Sequence, residues 1–363
     1  MIRNNPLHRI IIACRTQAKA NAARQSLLHL LPTTDDTNQS IKYHEHIIAL
    51  ECDHTSFSSI REFDESLRIK LRETYTPQKW IYNGIDVLCC NAAILVPKDS
   101  SPQYTDDGYE VTFQTNFLSP FLLVQSVMDL MNPGGRIVFT TSGLYERVQI
   151  QNLNGITVDP NLATTTSTSK SNDNNIHIRK HFPMIDDCTD FHYKTSYSIS
   201  KLCVVGLCAE LAERLPQRKN ISVNCFSPGL MTTSGLFRHQ PFPNDCNNSA
   251  TIVPQQQQQK QEHPTQAPHD HHSVDILLKE KSVEWGAGAL VYMMIGRETG
   301  VRNAEYWSDT HSTCGMESQY GEHFIPIDIS NRVNASTRKE LWKLSCQLVG
   351  NVSYKSSSTL PKS

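Results

Sequence analysis

Short apolar runs alternate with longer amphipathic stretches along most of the chain. Residues 9–15 form an isoleucine-rich run, and residues 17–31 form an alanine-rich stretch that favours a helix. Residues 46–53 predict the next strand, and residues 57–74 predict a helix because their apolar positions recur every three or four residues. The pattern continues with predicted strands at 85–90, 136–141 and 222–226, a turn at 132–135, and predicted helices at 107–130, 197–215, 283–295 and 335–348.

This alternation of strands and helices predicts an α/β fold with a doubly wound, Rossmann-type parallel sheet. In such sheets ligands bind at the carboxyl ends of the strands. We expect one domain over residues 1–350. Two polar segments break the pattern, and we interpret residues 158–180 and 243–273 as flexible insertions and residues 351–363 as a disordered tail.

The composition narrows the class of protein without identifying its substrate. The 363 residues include 34 basic and 36 acidic side chains, so the formal net charge of −2 gives no general attraction to nucleic acid. No apolar run is long enough to span a bilayer. The first residues show no targeting segment.

The cysteines and histidines do not form a metal-binding pattern. The 11 cysteines are scattered through apolar runs, which is typical of reduced thiols inside a cell. Four histidines lie in the glutamine-rich second insertion, which we interpret as a solvated low-complexity segment: His263, His269, His271 and His272. We therefore predict no metal site.

The chemistry centres on Tyr197 and Lys201, which are four residues apart at the head of a predicted helix. This spacing puts both side chains on one face, where the ammonium can lower the pKa of the phenol and let it exchange a proton near neutral pH. The same spacing also occurs by chance on solvated helices. The assignment therefore depends on what surrounds the pair.

Five motifs in a fixed order supply those surroundings. They are Asn91-Ala92-Ala93, Asn116, Ser142, the Tyr197/Lys201 pair and Ser227-Pro228-Gly229. In this order they resemble the short-chain dehydrogenase/reductase family. The resemblance implies that Asn91, Ala92 and Ala93 approach the cofactor ribose, that Asn116 holds a water beside Lys201, that Ser142 bonds the substrate oxygen, and that Pro228 and Gly229 turn beside the nicotinamide.

The choice of cofactor follows from the resemblance at one strand end. In this family an acidic residue at the end of the second strand selects NAD, whereas a basic residue accommodates the 2′-phosphate of NADP. Here Arg15 takes that place, and Asp53 resembles the aspartate that meets the adenine. The resemblance implies NADP(H).

The chain departs from the family at its start. It has no Gly-x-x-x-Gly-x-Gly turn, which in the family joins the first strand to a helix that receives the pyrophosphate. We expect either an incomplete translation of a longer gene, which we favour, or a decayed copy that holds the cofactor poorly.

Within the family, the chain is most similar to the light-dependent protochlorophyllide reductase branch. The resemblance rests on the long segment between Ser142 and Tyr197, on residues 234–238 and 305–308, and on the C-terminal run 337–350. It implies that NADPH supplies hydride to a pyrrole double bond after light absorption and that Tyr197 supplies the proton. The resemblance also implies a chloroplast location. If the resemblance is set aside, we expect a cytoplasmic protein. The branch carries a cysteine where this chain has Leu230.

An apolar substrate wall is expected after the proline–glycine turn, formed by Leu230, Met231, Phe237 and Tyr306. It suits a small lipophilic substrate, either a tetrapyrrole or a carbonyl compound. Two alternatives stay open: a carbonyl or retinol-type dehydrogenase, and a non-catalytic paralogue that binds cofactor or pigment. Peripheral membrane association and self-association also stay open.

Overall fold

The fold is built on two β-sheets, one parallel and one mostly parallel, with helices packed against them. The computed structural model describes residues 9–31, 46–73, 84–97, 100–148, 193–215, 220–238, 281–308 and 325–350. The smaller sheet pairs β1 (Ile10–Cys14) with β2 (Ile47–Glu51) in parallel. The larger sheet contains five strands in sequence order: β3 (Ile85–Cys90), β4 (Met131–Thr140), β5 (Ser222–Phe226), β6 (Glu305–Ser308) and β7 (Ile325–Asp328).

The predicted α/β class with a parallel sheet is confirmed, with one correction. Strands β3 to β6 are parallel, but β7 runs antiparallel to β6. The described helices are α1 (Gln17–His29), α2 (Phe57–Glu73), α3 (Val111–Phe113), α4 (Ser119–Val127), α5 (Tyr193–Arg214), α6 (Val283–Ile295), α7 (Arg297–Val301) and α8 (Ala335–Leu348).

The predicted helix over 107–130 is not a regular α-helix. Its first turn, α3, leads into a π-helical segment, Gln114–Leu118, before α4 begins. Pro120 has no N–H to donate to the carbonyl of Asn116, so the regular ladder of hydrogen bonds is interrupted there. The π-helical turn therefore falls on Asn116, one of the predicted site residues.

Two other predicted boundaries differ from the structure. The turn expected at 132–135 belongs to β4, whose register against β3 shifts near Ile85 and Val87. Helix α5 begins at Tyr193 rather than at Tyr197. As a result, the Tyr197/Lys201 pair lies inside the helix instead of at its first turn.

Helix α5 is the centre of the molecule. It packs against β5, the 3-10 turn Gly143–Arg147, the π-helical segment and α8. Nearly every side chain from 196 to 212 is therefore buried. A helix enclosed in this way holds its functional side chains in fixed positions.

Some expectations fall outside the described residues. The predicted insertions 158–180 and 243–273, the four histidines and the tail 351–363 all lie there. Within the described ranges, no helix is both long and apolar enough to cross a membrane. The eight cysteines of those ranges are free thiols.

Candidate active site

Lys201 is buried beside the end of β4. Its side chain is 1 % exposed, and Nζ donates a hydrogen bond of 2.9 Å to the carbonyl oxygen of Thr140. Burial disfavours the ammonium and lowers the pKa of Lys201 to about 7. The amine can therefore change its charge near neutral pH.

Tyr197 lies one helical turn before Lys201 and is 4 % exposed. The lysine Nζ is 5.5 Å from the centre of the phenol ring. Burial raises the pKa of Tyr197 above its ordinary value, and a hydrogen bond with Ser142 acts in the opposite direction. The lowered phenol pKa expected from the sequence is therefore not found, because desolvation outweighs the hydrogen bond with Ser142.

Strand β4 ends at Thr140, and Ser142 follows after the buried Thr141. Ser142 caps the 3-10 turn Gly143–Arg147, where its Oγ accepts a hydrogen bond of 3.3 Å from the backbone N–H of Leu144. The preceding Thr141 donates its hydroxyl to the carbonyl of Lys201 at 3.2 Å. The Thr141 bond therefore joins the end of β4, beside Ser142, directly to helix α5.

Asn116 uses its side chain to hold the segment that follows β3. Its Oδ1 accepts from the N–H of Ile94 at 2.8 Å, and its Nδ2 donates to the carbonyl of Ile94 at 3.0 Å. The same Nδ2 also donates to Ser200 Oγ at 3.1 Å. The water-holding role expected of Asn116 stays a prediction, and its side-chain amide is committed to protein partners.

The residues predicted to approach the cofactor ribose lie at the exposed carboxyl end of β3. Asn91 and Ala92 are exposed and Ala93 is partly exposed. Asn91 Oδ1 accepts a hydrogen bond of 2.7 Å from the hydroxyl of Thr140, the residue whose carbonyl binds Lys201. The small side chains leave the strand end open to a ligand.

Arg15 and Asp53 lie at the neighbouring ends of β1 and β2. Arg15 is exposed, whereas Asp53 is partly buried and accepts the N–H and the hydroxyl of Thr55 at 2.9 and 2.8 Å. The sequence reasoning missed Glu51, whose carboxylate accepts the N–H of Gln17 at 2.9 Å. The Glu51 carboxylate therefore lies at the first turn of α1, and this turn begins two residues after Arg15.

The proline–glycine turn after β5 has the backbone geometry that its sequence requires. Gly229 has a φ of +77°, and a Cβ built there would lie 2.7 Å from Cγ of Lys281. Its N–H donates to Ser227 Oγ at 3.3 Å. A Cβ built at Gly286, near the start of α6, would lie 3.3 Å from Cβ of Pro228, so the turn lies close to that helix.

We expect Gly229→Ala to lower the free energy of unfolding by about 1–2 kcal/mol, because an L-residue is strained at this φ. Gly288 in the middle of α6 is the matched control, since a Cβ there meets nothing within 4 Å. Gly288→Ala should raise stability by about 0.5–1 kcal/mol through helix propensity. Urea denaturation of both variants measures the difference, and equal effects would contradict the assignment of the turn.

An apolar cluster surrounds Tyr197. Its buried members are Leu95, Val96, Tyr193 and Tyr197, and Val111, Leu144, Leu236 and Phe237 pack against them. Of the predicted substrate wall, Phe237 joins this cluster. Sequence reasoning missed Leu95, Val96, Tyr193 and Leu144, which reach the tyrosine only through tertiary folding.

The other predicted wall residues lie elsewhere. Tyr306 is 0 % exposed and packs edge-on against Tyr145, with ring centres 5.1 Å apart. Met231 lies against Gly286 and Leu230 accepts the N–H of Lys281 at 2.7 Å, both at the start of α6. Their contact with a substrate stays a prediction. In the part of the chain that the structure describes, no group of three or more metal-binding side chains comes together.

The comparisons with known proteins agree with this geometry. Residues 14–152 match the family model described as short chain dehydrogenase. A chloroplastic protochlorophyllide reductase of Daucus carota is 24 % identical over 94 % of this chain and 71 % of its own length. One of Marchantia paleacea is also 24 % identical, over 94 % of this chain and 62 % of its own. A crystal structure of an uncharacterised protein from Mycobacterium paratuberculosis superposes with a TM-score of 0.51 at 16 % identity, covering 93 % of this chain and 83 % of that one.

The expected resemblance is therefore confirmed. The chain has the fold of the short-chain dehydrogenases/reductases, and the two relatives are distant in sequence. The match over residues 14–152 and the two relatives at 24 % identity make the chain similar to these oxidoreductases.

Proposed function

We propose that the chain is an NADP(H)-dependent reductase in which Tyr197 gives a proton to a lipophilic substrate. The observation that carries the proposal is the contact of Tyr197 with Ser142, one helical turn from a buried Lys201. A phenol, a hydroxyl and an amine in this arrangement form a proton donor, a hydrogen-bond partner for the reacting atom and a group that stabilises the phenolate.

The proton-handling steps follow from the positions of these side chains. Bound NADPH would supply hydride, which carries the electron pair. Tyr197 would give its proton to the neighbouring atom and become a phenolate, and Ser142 would donate a hydrogen bond to the phenolate or the substrate. Lys201 in its ammonium form would then stabilise the phenolate until a solvent proton restores the phenol. The apolar cluster around Tyr197 would exclude water from this exchange.

The accessible residues at the strand ends, some exposed and some partly buried, fit the nicotinamide and adenosine ends of such a cofactor. Asn91, Ala92 and Ala93 would meet the ribose, Pro228 and Gly229 the nicotinamide carboxamide, and Asp53 the adenine. Arg15 would bind the 2′-phosphate. The sequence contains no Gly-x-x-x-Gly-x-Gly turn, so we assign no residues to the pyrophosphate.

We expect Arg15→Ala to weaken NADPH binding by about tenfold while leaving NADH binding within about twofold, because only NADPH carries the 2′-phosphate. Fluorescence titration of both cofactors measures this ratio. Arg72, a distant basic residue on α2, is the control, and Arg72→Ala should change neither affinity. An equal loss for both cofactors would show that Arg15 does not distinguish between them.

The pyrrole double bond of a protochlorophyllide-like tetrapyrrole is the favoured target. The relatives named protochlorophyllide reductase, matched over 94 % of the chain, support it. A tetrapyrrole would need a wide apolar wall, and the cluster of Leu236 and Phe237 beside Tyr197 supplies part of one. Light absorption by the pigment itself would start the reaction.

A carbonyl compound is the second candidate. Leu230 stands where the pigment-reducing branch has a cysteine, which favours a reaction without pigment photochemistry. In that reaction Tyr197 would protonate the alkoxide that forms as hydride reaches the carbonyl carbon. The same protein groups serve both reactions.

A flash experiment separates the candidates. The chain is mixed with NADPH and protochlorophyllide in the dark, and the absorbance spectrum is recorded before and after a flash. A product that forms only after the flash supports the pigment reaction. Oxidation of NADPH in the dark by a lipophilic ketone or aldehyde supports the carbonyl reaction, and no turnover in either assay indicates a non-catalytic binding protein.

A further inference from the structure

Glu110 is a buried carboxylate that joins the two helical segments of the site. It is 2 % exposed and caps α3, where its two oxygens accept the N–H groups of Thr112 and Phe113 at 3.0 and 2.9 Å. The oxygen that binds Phe113 also accepts the hydroxyl of Ser196 at 2.8 Å. Ser196 is the residue before Tyr197, so the carboxylate reaches from one segment to the other beside the proton donor.

A second bond ties the same two segments on the other side of Tyr197. Asn116 on the π-helical segment donates to Ser200 Oγ at 3.1 Å, and Ser200 donates its hydroxyl to the carbonyl of Tyr197 at 2.7 Å. The turn that carries the phenol is therefore fixed at both ends, at residues 196 and 200. Both fixing groups come from the stretch 110–116.

We propose that Glu110 is a positioning residue that acts through Ser196 to hold Tyr197 in register with Ser142. This inference rests on the proposed function, in which Tyr197 is the proton donor. Glu110 touches neither the phenol nor Ser142 through any contact in the described part of the chain. Its effect on the reaction is therefore one of geometry.

Two features separate this role from ordinary helix capping. A cap needs only the bonds to Thr112 and Phe113, whereas the bond to Ser196 connects two elements that are 86 residues apart. Buried carboxylates need hydrogen-bond partners, and the hydroxyl of Ser196 completes the set around Glu110. The hydrogen bond from Ser196 to Glu110 matters for the rate of the proposed reaction, because a small displacement of the reacting atom lowers that rate steeply.

Two variants test the proposal. Glu110→Asp keeps the charge and a strong capping side chain but is one methylene too short to reach Ser196. Ser196→Ala removes only the hydroxyl at the other end of the bond. Asn334→Ala is the control, because Asn334 caps α8 by accepting the N–H of Thr337 at 2.9 Å, and α8 contains none of the proposed catalytic residues.

We expect each of the two variants to lower kcat by about tenfold with KM changed less than about twofold, because the tyrosine is misplaced while substrate contacts remain. The double variant should lose no more than either single variant, because both changes break one bond. Asn334→Ala should leave kcat unchanged. Losses that multiply in the double variant, or an unchanged kcat in both single variants, would overturn the proposal.

Amide hydrogen exchange provides a readout that does not depend on turnover. Protection of residues 197–201 should fall by about tenfold in Glu110→Asp and in Ser196→Ala, and in Asn334→Ala the loss should be confined to α8. If the native chain proves inactive, the proposed function fails, and this exchange pattern still decides whether Glu110 fixes the tyrosine turn. Unchanged protection at 197–201 in both variants would then overturn the inference.

Discussion

Tyr197→Phe is expected to lower kcat by 10²- to 10⁴-fold, the usual contribution of a positioned general acid. The substitution removes only the phenol oxygen, which is the atom that bonds Ser142. The ring keeps its place in the apolar cluster with Leu95 and Val96. The variant should therefore bind NADPH and substrate nearly as well as the native chain, and the loss should appear in kcat rather than in KM.

Tyr109→Phe provides the control for this prediction. Tyr109 is also a buried tyrosine, and its hydroxyl donates to the carbonyl of Leu348 at 3.1 Å, away from the site. Its loss should lower the free energy of unfolding by about 1 kcal/mol and leave kcat unchanged. Steady-state kinetics and urea denaturation of both variants measure these effects. A Tyr197→Phe variant with native kcat would exclude the tyrosine as the proton donor.

Periodicity and motif order were enough to predict much of the fold and the neighbourhood of Tyr197. The apolar runs at Ile85–Cys90 and Ser222–Phe226 form strands of one sheet on either side of β4, and Ser142 follows β4 as expected. These predictions succeed because strand and helix periods are local, and because parallel strands bring their carboxyl ends to one edge.

The parts that could not be predicted depend on tertiary contacts. Glu110 follows an Asp-Gly pair, a local signal for a turn before a helix, but nothing local indicates its bond to Ser196 across 86 residues. The sequence predicts Tyr306 as a wall residue but does not reveal that β6 lies inside the sheet, where the ring packs against Tyr145. The raised pKa of Tyr197 was missed for the same reason, because burial is a property of the fold and not of the i,i+4 spacing.

Lys201→Met is expected to remove a steep pH dependence of stability. Burial lowers the pKa of Lys201 from 10.5 to about 7, so the folded state loses its proton near neutral pH while the unfolded state keeps it up to about pH 10.5. Below about pH 7 the lysine is charged in both states, so the cost of burying its ammonium lowers the free energy of unfolding in full. Between these pH values the unfolded state binds more protons, so the free energy of unfolding rises with pH by up to about 1.4 kcal/mol per unit from this group.

Other groups also titrate in this range, so the prediction concerns the difference between two chains. From pH 7.5 to 9.5 the native protein should gain about 2 kcal/mol relative to Lys201→Met, because the variant has no amine to titrate. The carbonyl of Thr140, which loses its Nζ partner in the variant, adds an offset that does not depend on pH. Lys343→Met, at an exposed position on α8, should follow the native curve. Urea denaturation at several pH values measures the three curves, and parallel curves for the native chain and Lys201→Met would show that Lys201 titrates normally and is not the charge switch beside the phenol.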